Sequence, residues 1–209
     1  MRTTVLRAQL LALSLLVLVG CGKGPEAERE SARAALESAR QAEAEIYAPG
    51  PYRAAVDTLA SADRELAAQQ KRFAMTRKFD RAKDLYVEAE RLARRAEEAA
   101  AEGKESARTE AESLRADLQA KTARMRELFE SERGQSMLRS SRTGTAMENL
   151  RAESEEVEAA LSELELSLQR EAYRDALRVA RSAHDQAESI LADLEQAIQT
   201  GVVPVRGAK

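Results

Sequence analysis

An all-α fold follows from three observations on this chain. Alanine, the best helix former, occurs 41 times among 209 residues, while aromatics make up only 3% and Trp is absent. No proline lies between Pro51 and Pro204, and the glycines between 52 and 200 are Gly103, Gly134 and Gly144. Small and apolar residues recur in alternating steps of three and four, which places them on one face of a helix. Val, Ile, Thr, Tyr and Phe, the residues that favour strands, are too sparse for a β-sandwich or a doubly wound sheet. The expected architecture is an elongated bundle of about five helices, paired as coiled-coil-like antiparallel hairpins.

The first helix is read from Ala32, Ala35, Ala39, Ala42 and Ile46. Pro49 ends it, because proline disfavours helical geometry in the residue before it. Pro51 then suits the first turn of the second helix, where no amide donor is missed. That helix carries Tyr52, Ala55, Leu59, Ala62, Leu66, Gln69 and Phe73 on its seam, and the phase breaks near Ala74–Lys78. A third helix is expected over 78–133. Its seam runs Phe79, Ala82, Tyr86, Ala89, Ala93, Ala96, Ala100, Gly103 and Ala107, then Ala111, Leu114, Leu118, Thr122, Met125 and Phe129. Two extra steps of four in the second stretch relax a left-handed supercoil.

Residues 134–144 mix Gly, Ser, Thr and Arg and read as a loop. Met147, Leu150, Ser154, Val157, Leu161, Leu164 and Leu168 mark the fourth helix. Tyr173, Ala176, Ala180, Ala183, Ala187, Ile190, Leu194 and Ala197 mark the fifth, which Gly201 and Pro204 end. The stripe from Tyr52 to Phe73 matches Met147 to Leu168, and the stripe from Phe79 matches that from Tyr173. A shared break followed by an aromatic residue and an Ala-rich helix suggests a repeated helix pair. Alanine seams bring helix axes close but bury little apolar area per residue. A thin core of this kind calls for self-association or a protein partner.

The N-terminus reads as an address. Arg2 and Arg7 precede the apolar run Leu10–Val19, which is too short to span a bilayer and meets Gly22-Lys23-Gly24-Pro25. Residues 1–20 are thus expected to be a cleaved signal. Leu18-Val19-Gly20-Cys21 resembles the lipobox of bacterial lipoproteins. The resemblance implies cleavage between Gly20 and Cys21 and covalent lipid on Cys21, with no other cofactor. The reading suits the lone cysteine, which has no intramolecular disulfide partner, and several acyl chains hold a protein stably at a membrane. Gly22, rather than Asp, after Cys21 implies the inner leaflet of an outer membrane, facing the periplasm. In a cell with one membrane, the same motif implies its outer face. The expected organisation is a signal over 1–20, a lipidated tether over 21–31 and an Ala-rich hairpin region over 32–133. A loop over 134–144, a second hairpin over 145–200 and a flexible tail over 201–209 follow.

Residues 32–98 resemble the bacterial lipoproteins of domain-of-unknown-function family 4398. The matching features are an Ala-rich helix ending Tyr47-Ala48-Pro49, a second helix with Ala and Leu at seam spacing, and Phe79-Asp80-Arg81-Ala82 opening another Ala-rich helix. This resemblance implies an envelope compartment and a helical fold and supplies no site.

Chemistry-bearing motifs are scarce. His184 with Asp185 and Glu188 offers too few ligands for a metal site, and a solvated histidine is the plain reading. Acidic pairs such as Glu97-Glu98 and Glu155-Glu156 belong to solvated helix faces opposite Arg. No phosphate-cradling Gly loop and no Ser-His-Asp set is present, so no catalytic residue and no enzyme are expected. Loss of residues 1–20 removes two arginines and leaves 31 basic against 36 acidic residues, which disfavours nucleic acid as a partner.

The aromatic-x-x-Ala-x(6)-Ala pattern from Phe79 and from Tyr173 resembles the second helix of tetratricopeptide units. It implies a peptide-binding groove as an alternative to core packing. The terminal Val205-Arg206-Gly207-Ala208-Lys209 resembles the end of murein lipoproteins, which implies attachment of Lys209 to peptidoglycan, although Arg206-Gly207-Ala208 departs from their motif. The leading expectation is a lipid-anchored structural or adaptor protein of the cell envelope, working through helix–helix contacts.

Overall fold

The structure, a computed structural model, describes residues 24–204. It is all-α, with no strand among the described residues. Among the described residues seven α-helices follow in order: α1 (Glu26–Gln41), α2 (Ala44–Tyr47), α3 (Pro49–Gln70), α4 (Asp80–Glu130), α5 (Glu132–Arg139), α6 (Gly144–Gln169) and α7 (Tyr173–Thr200). The five long ones are the five that the periodicity predicts. The two short ones are additions, and each has a local cause.

The first addition sits where one helix was expected to run to Pro49. Glu43 adopts left-handed backbone geometry, φ 60°, and so separates α1 from the single turn of α2. Pro49 then opens α3 rather than only closing what precedes it. Ile46, expected on the buried seam, is 42% exposed, because the break at Glu43 turns α2 out of register with α1.

The second addition corrects the loop expected over 134–144. Ser131 caps α5, its side-chain oxygen accepting from the Gly134 amide at 3.1 Å, and Glu132 and Arg139 lie at the ends that suit the helix dipole. Gly134 reads as a loop residue along the sequence, yet it is helical. A Cβ there would stand 2.2 Å from the Leu128 carbonyl, so only glycine lets α5 fold back against the end of α4. Gly144 plays the same part at the start of α6, where a Cβ would meet the Leu138 carbonyl at 2.7 Å. Only residues 140–143 lie between α5 and α6.

The chain divides into two compact units, one ending at Ala101 and the other beginning at Glu102. This division falls within α4, whose unbroken helical periodicity hides a change of packing partners. In the first unit, α1, α3 and the start of α4 form three levels of small side chains. Ala32, Ala62, Leu66, Ala82, Tyr86 and Ala89 make one level. Ala35, Ala55 and Ala93 make the next, and Ala39, Ala44, Ala48, Ala96 and Ala100 the third. Residue numbers rise through these levels along α1 and α4 and fall along α3, so α3 is antiparallel to both.

In the second unit, the remainder of α4 packs with α6 and α7. Leu118, Met125 and Phe129 meet Met147, Val157, Leu164, Ile190 and Leu194 in one continuous cluster. Arg126 pairs with Glu158 and Gln119 with Glu165, which sets α6 antiparallel to α4. Glu110 pairs with Arg181 and Arg124 with Glu195, which sets α7 parallel to α4. Each unit is thus a three-helix assembly with the same sequence of directions. The units differ in filling: methyl groups dominate the first core, whereas the second adds leucine, methionine, valine, phenylalanine and isoleucine to its alanines and buries more apolar area per residue.

Candidate functional site

Two polar clusters stand out among the described residues, and each is assembled from different helices. In the first unit, Asp63 on α3 receives a hydrogen bond from the Tyr86 hydroxyl on α4 at 2.6 Å. The same carboxylate accepts from Arg29 Nε at 3.1 Å and from Arg33 at 3.0 Å, both on α1. One acid therefore ties all three helices. Burial by itself would raise the Asp63 pKa, but the tyrosine hydroxyl and the two guanidinium groups outweigh it and hold the carboxyl below its usual range. Tyr86 is fully buried, and burial together with the bond to Asp63 pushes its phenol upward. The phenol therefore stays protonated at neutral pH and serves as a donor, not as a base.

In the second unit, Lys121 on α4 lies between Asp117 Oδ2 at 2.9 Å and Glu188 Oε1 at 3.2 Å. His184 Nε2 stands 2.9 Å from both Lys121 Nζ and Asp117 Oδ2. Desolvation pulls the Lys121 pKa down, and the hydrogen bonds to Asp117 and Glu188 more than restore it, leaving it raised. The Lys121 bond, foremost, keeps Asp117 low. His184, Lys121, Asp117 and Glu188 thus form one network across α4 and α7.

The sequence predicts a solvated His184 with Asp185 and Glu188 as its company. The structure puts it at 23% side-chain exposure and gives it Asp117 and Lys121, from 67 and 63 positions earlier in the chain. Asp185 is remote by comparison, its carboxylate 3.7 Å from Nδ1 and 87% exposed. No grouping of three or more metal-ligating side chains occurs among the described residues. The signal for the Lys121 contact lay in the seam itself: Leu118 and Thr122 both face inward, so Lys121 sits at the border of the stripe.

Phe79 lies against the cluster around Leu66 and Tyr86. Tyr173 offers its ring face to the Lys104 ammonium, 5.9 Å from the ring centre. A shallow recess of about 290 Å³ is lined by Glu45, Pro49, Tyr52, Arg53 and Val56 at the α2–α3 corner. Burial and the neighbouring Glu45 raise the Tyr52 phenol pKa, so this group too remains a neutral donor.

Gly20, Cys21 and Lys209 lie outside the described residues. No described helix is long and apolar enough to cross a membrane. The seam residue that the structure displaces most is Phe73. It follows the end of α3, in a segment closed by a 3-10 turn over Ala74–Thr76, and it is 89% exposed. No family model, curated protein or solved structure matches this chain.

Proposed function

We propose that this chain is a lipid-anchored structural or adaptor protein of the cell envelope, facing the periplasm and acting through helix–helix contacts. The observation that carries the reading is Leu18-Val19-Gly20-Cys21, with its single cysteine, at the head of an otherwise helical chain. A thiol at that position accepts a diacylglyceryl group, and multiple acyl chains hold a protein at a membrane surface. The character of the two polar clusters supports a non-catalytic role. Their acids and bases are spent on one another across helices, which rigidifies each unit. The thin alanine core of the first unit, which buries little apolar area per residue, supports a role completed by self-association or a protein partner.

Replacement of Cys21 by Ser tests the anchor directly. The full chain should accumulate as an unprocessed precursor that carries no diacylglyceryl group. Normal processing with continued membrane retention would remove the reading. Light scattering after size-exclusion chromatography tests the adaptor half, where a defined oligomer supports self-association and a monomer shifts the role to other partners.

A further inference from the structure

We infer that the Lys71–Lys78 segment is a membrane-contacting tip that inserts Phe73 and Met75 among anionic lipid headgroups. The inference deepens the anchored reading and rests on it for which bilayer the tip meets. Eight consecutive residues, Lys71-Arg72-Phe73-Ala74-Met75-Thr76-Arg77-Lys78, are all exposed. They include four cations and no acid in a chain whose net charge is −3. Phe73 is 89% and Met75 99% exposed, the two highest values among the large hydrophobic residues described.

This exposure is built into the segment. Thr76 donates both its amide and its hydroxyl to the Phe73 carbonyl, each at 2.9 Å. Arg77 donates to the Arg72 and Gln70 carbonyls at 3.1 and 3.0 Å. At the base, the Lys78 amide donates to Gln69 Oε1 at 3.1 Å. The loop is therefore held in a shape that presents an aromatic and a thioether outward between basic side chains. In water, such a surface has no compensation. At a bilayer interface, the apolar groups leave water while Lys and Arg meet lipid phosphates.

The position of the tip agrees with this use. Because α1 and α4 run the same way and α3 returns, the α3–α4 connection lies at the end of the first unit where α1 begins. The pair Lys83–Glu28, at 3.0 Å, joins the first turns of α4 and α1 there. Cys21 is three residues before Gly24, so no conformation can carry it more than roughly 11 Å from that residue. Gly24, where the described chain begins, lies at the same end as the cationic tip. The opposite end of the unit, the corner from Ala42 to Tyr52, carries Glu43 and Glu45, with Arg40 and Arg53 flanking it rather than a run of cations. Of the acids at the tip end, Glu28 pairs with Lys83, Glu26 with Arg29 at 3.9 Å and Glu65 with Arg81 at 4.0 Å, while Asp80 and Asp84 lie on the first turns of α4, beyond the cationic run. A protein partner is the less suited occupant, because a stable protein contact draws on a face of about 800 Å² per side, whereas a short convex tip suffices for insertion between lipids.

The absence of Trp from the chain makes the test specific. Full-length lipidated protein carrying Phe73→Trp is reconstituted on vesicles of phosphatidylethanolamine and phosphatidylglycerol containing brominated acyl chains. A second protein carries Ile46→Trp at the opposite corner. Residue 73 should emit at shorter wavelength and be quenched several-fold more than residue 46. Adding Lys71→Gln, Arg72→Gln and Lys78→Gln to the Phe73→Trp chain should abolish most of that quenching, with Arg77 kept to hold the loop. Water-like, unquenched emission from residue 73 on protein that remains vesicle-bound overturns the proposal and leaves the anchor standing. A shift that appears only on addition of a second protein, without lipid quenching, also overturns it. If Cys21→Ser leaves both vesicle attachment and the residue-73 quenching unchanged, the anchor fails and the tip is supported.

Discussion

The Tyr86 hydroxyl on α4 donates to Asp63 on α3 at 2.6 Å, in a core otherwise lined mainly by alanine. Tyr86 is the largest fully buried side chain of the described residues, and Asp63 also holds Arg29 and Arg33 of α1. This pairing explains how a unit filled with methyl groups fixes one register. Alanine stripes slide past one another with little penalty, but a buried phenol that must reach one carboxylate does not.

Substitution of Tyr86 by Phe keeps the packed ring and removes only the donor. Thermal or urea unfolding should show a loss of about 1–2 kcal/mol. Asp63→Ala should cost more than Tyr86→Phe, because it removes the acceptor shared by a buried phenol and two guanidinium groups. Equal stability of both variants and the parent chain would mean that the network does not set the register.

The same pair sets opposite pH limits. The Asp63 carboxyl is held below its usual 3.8, so its contribution is present above that value and is lost as pH falls through the folded value. The Tyr86 phenol is raised above its usual 10.0, so its contribution is complete below pH 10 and is lost as pH climbs through the folded value. Urea titrations across pH should show both declines in the parent chain. In Tyr86→Phe, the alkaline decline should diminish while the acid one persists in weakened form.

Gly134→Ala should destabilise the α4–α5 corner by about 1–3 kcal/mol, since the new methyl meets a backbone carbonyl that cannot rotate away. Ser131→Ala should cost about 1 kcal/mol through loss of the cap. Hydrogen exchange over residues 128–144 should quicken in both variants. A neutral Gly134→Ala would contradict the close approach.

The two cores should respond oppositely to side-chain size. Ala93 is fully buried between α1 and α3, and Ala93→Leu should overpack that level at a cost of about 1–3 kcal/mol. Ile190 is fully buried in the second unit, and Ile190→Ala should leave a cavity costing about 2–5 kcal/mol. Calorimetry of each variant checks both values.

Along the chain, spacing alone determined the helical class and most of the buried stripes. Ala82 to Ala100 and Ala176 to Ala197 are buried at the seam positions that steps of three and four select, because helical periodicity is a local property. Tertiary structure decided the rest. Whether Asp63 would find Tyr86, or His184 would meet Asp117 and Lys121, depends on the mutual register of separate helices, which no single stripe contains. Gly134 became helical through a close backbone approach that composition cannot reveal. Phe73, in step with the α3 seam, was released to solvent because α3 ends at Gln70 and the seam no longer has a helix to carry it.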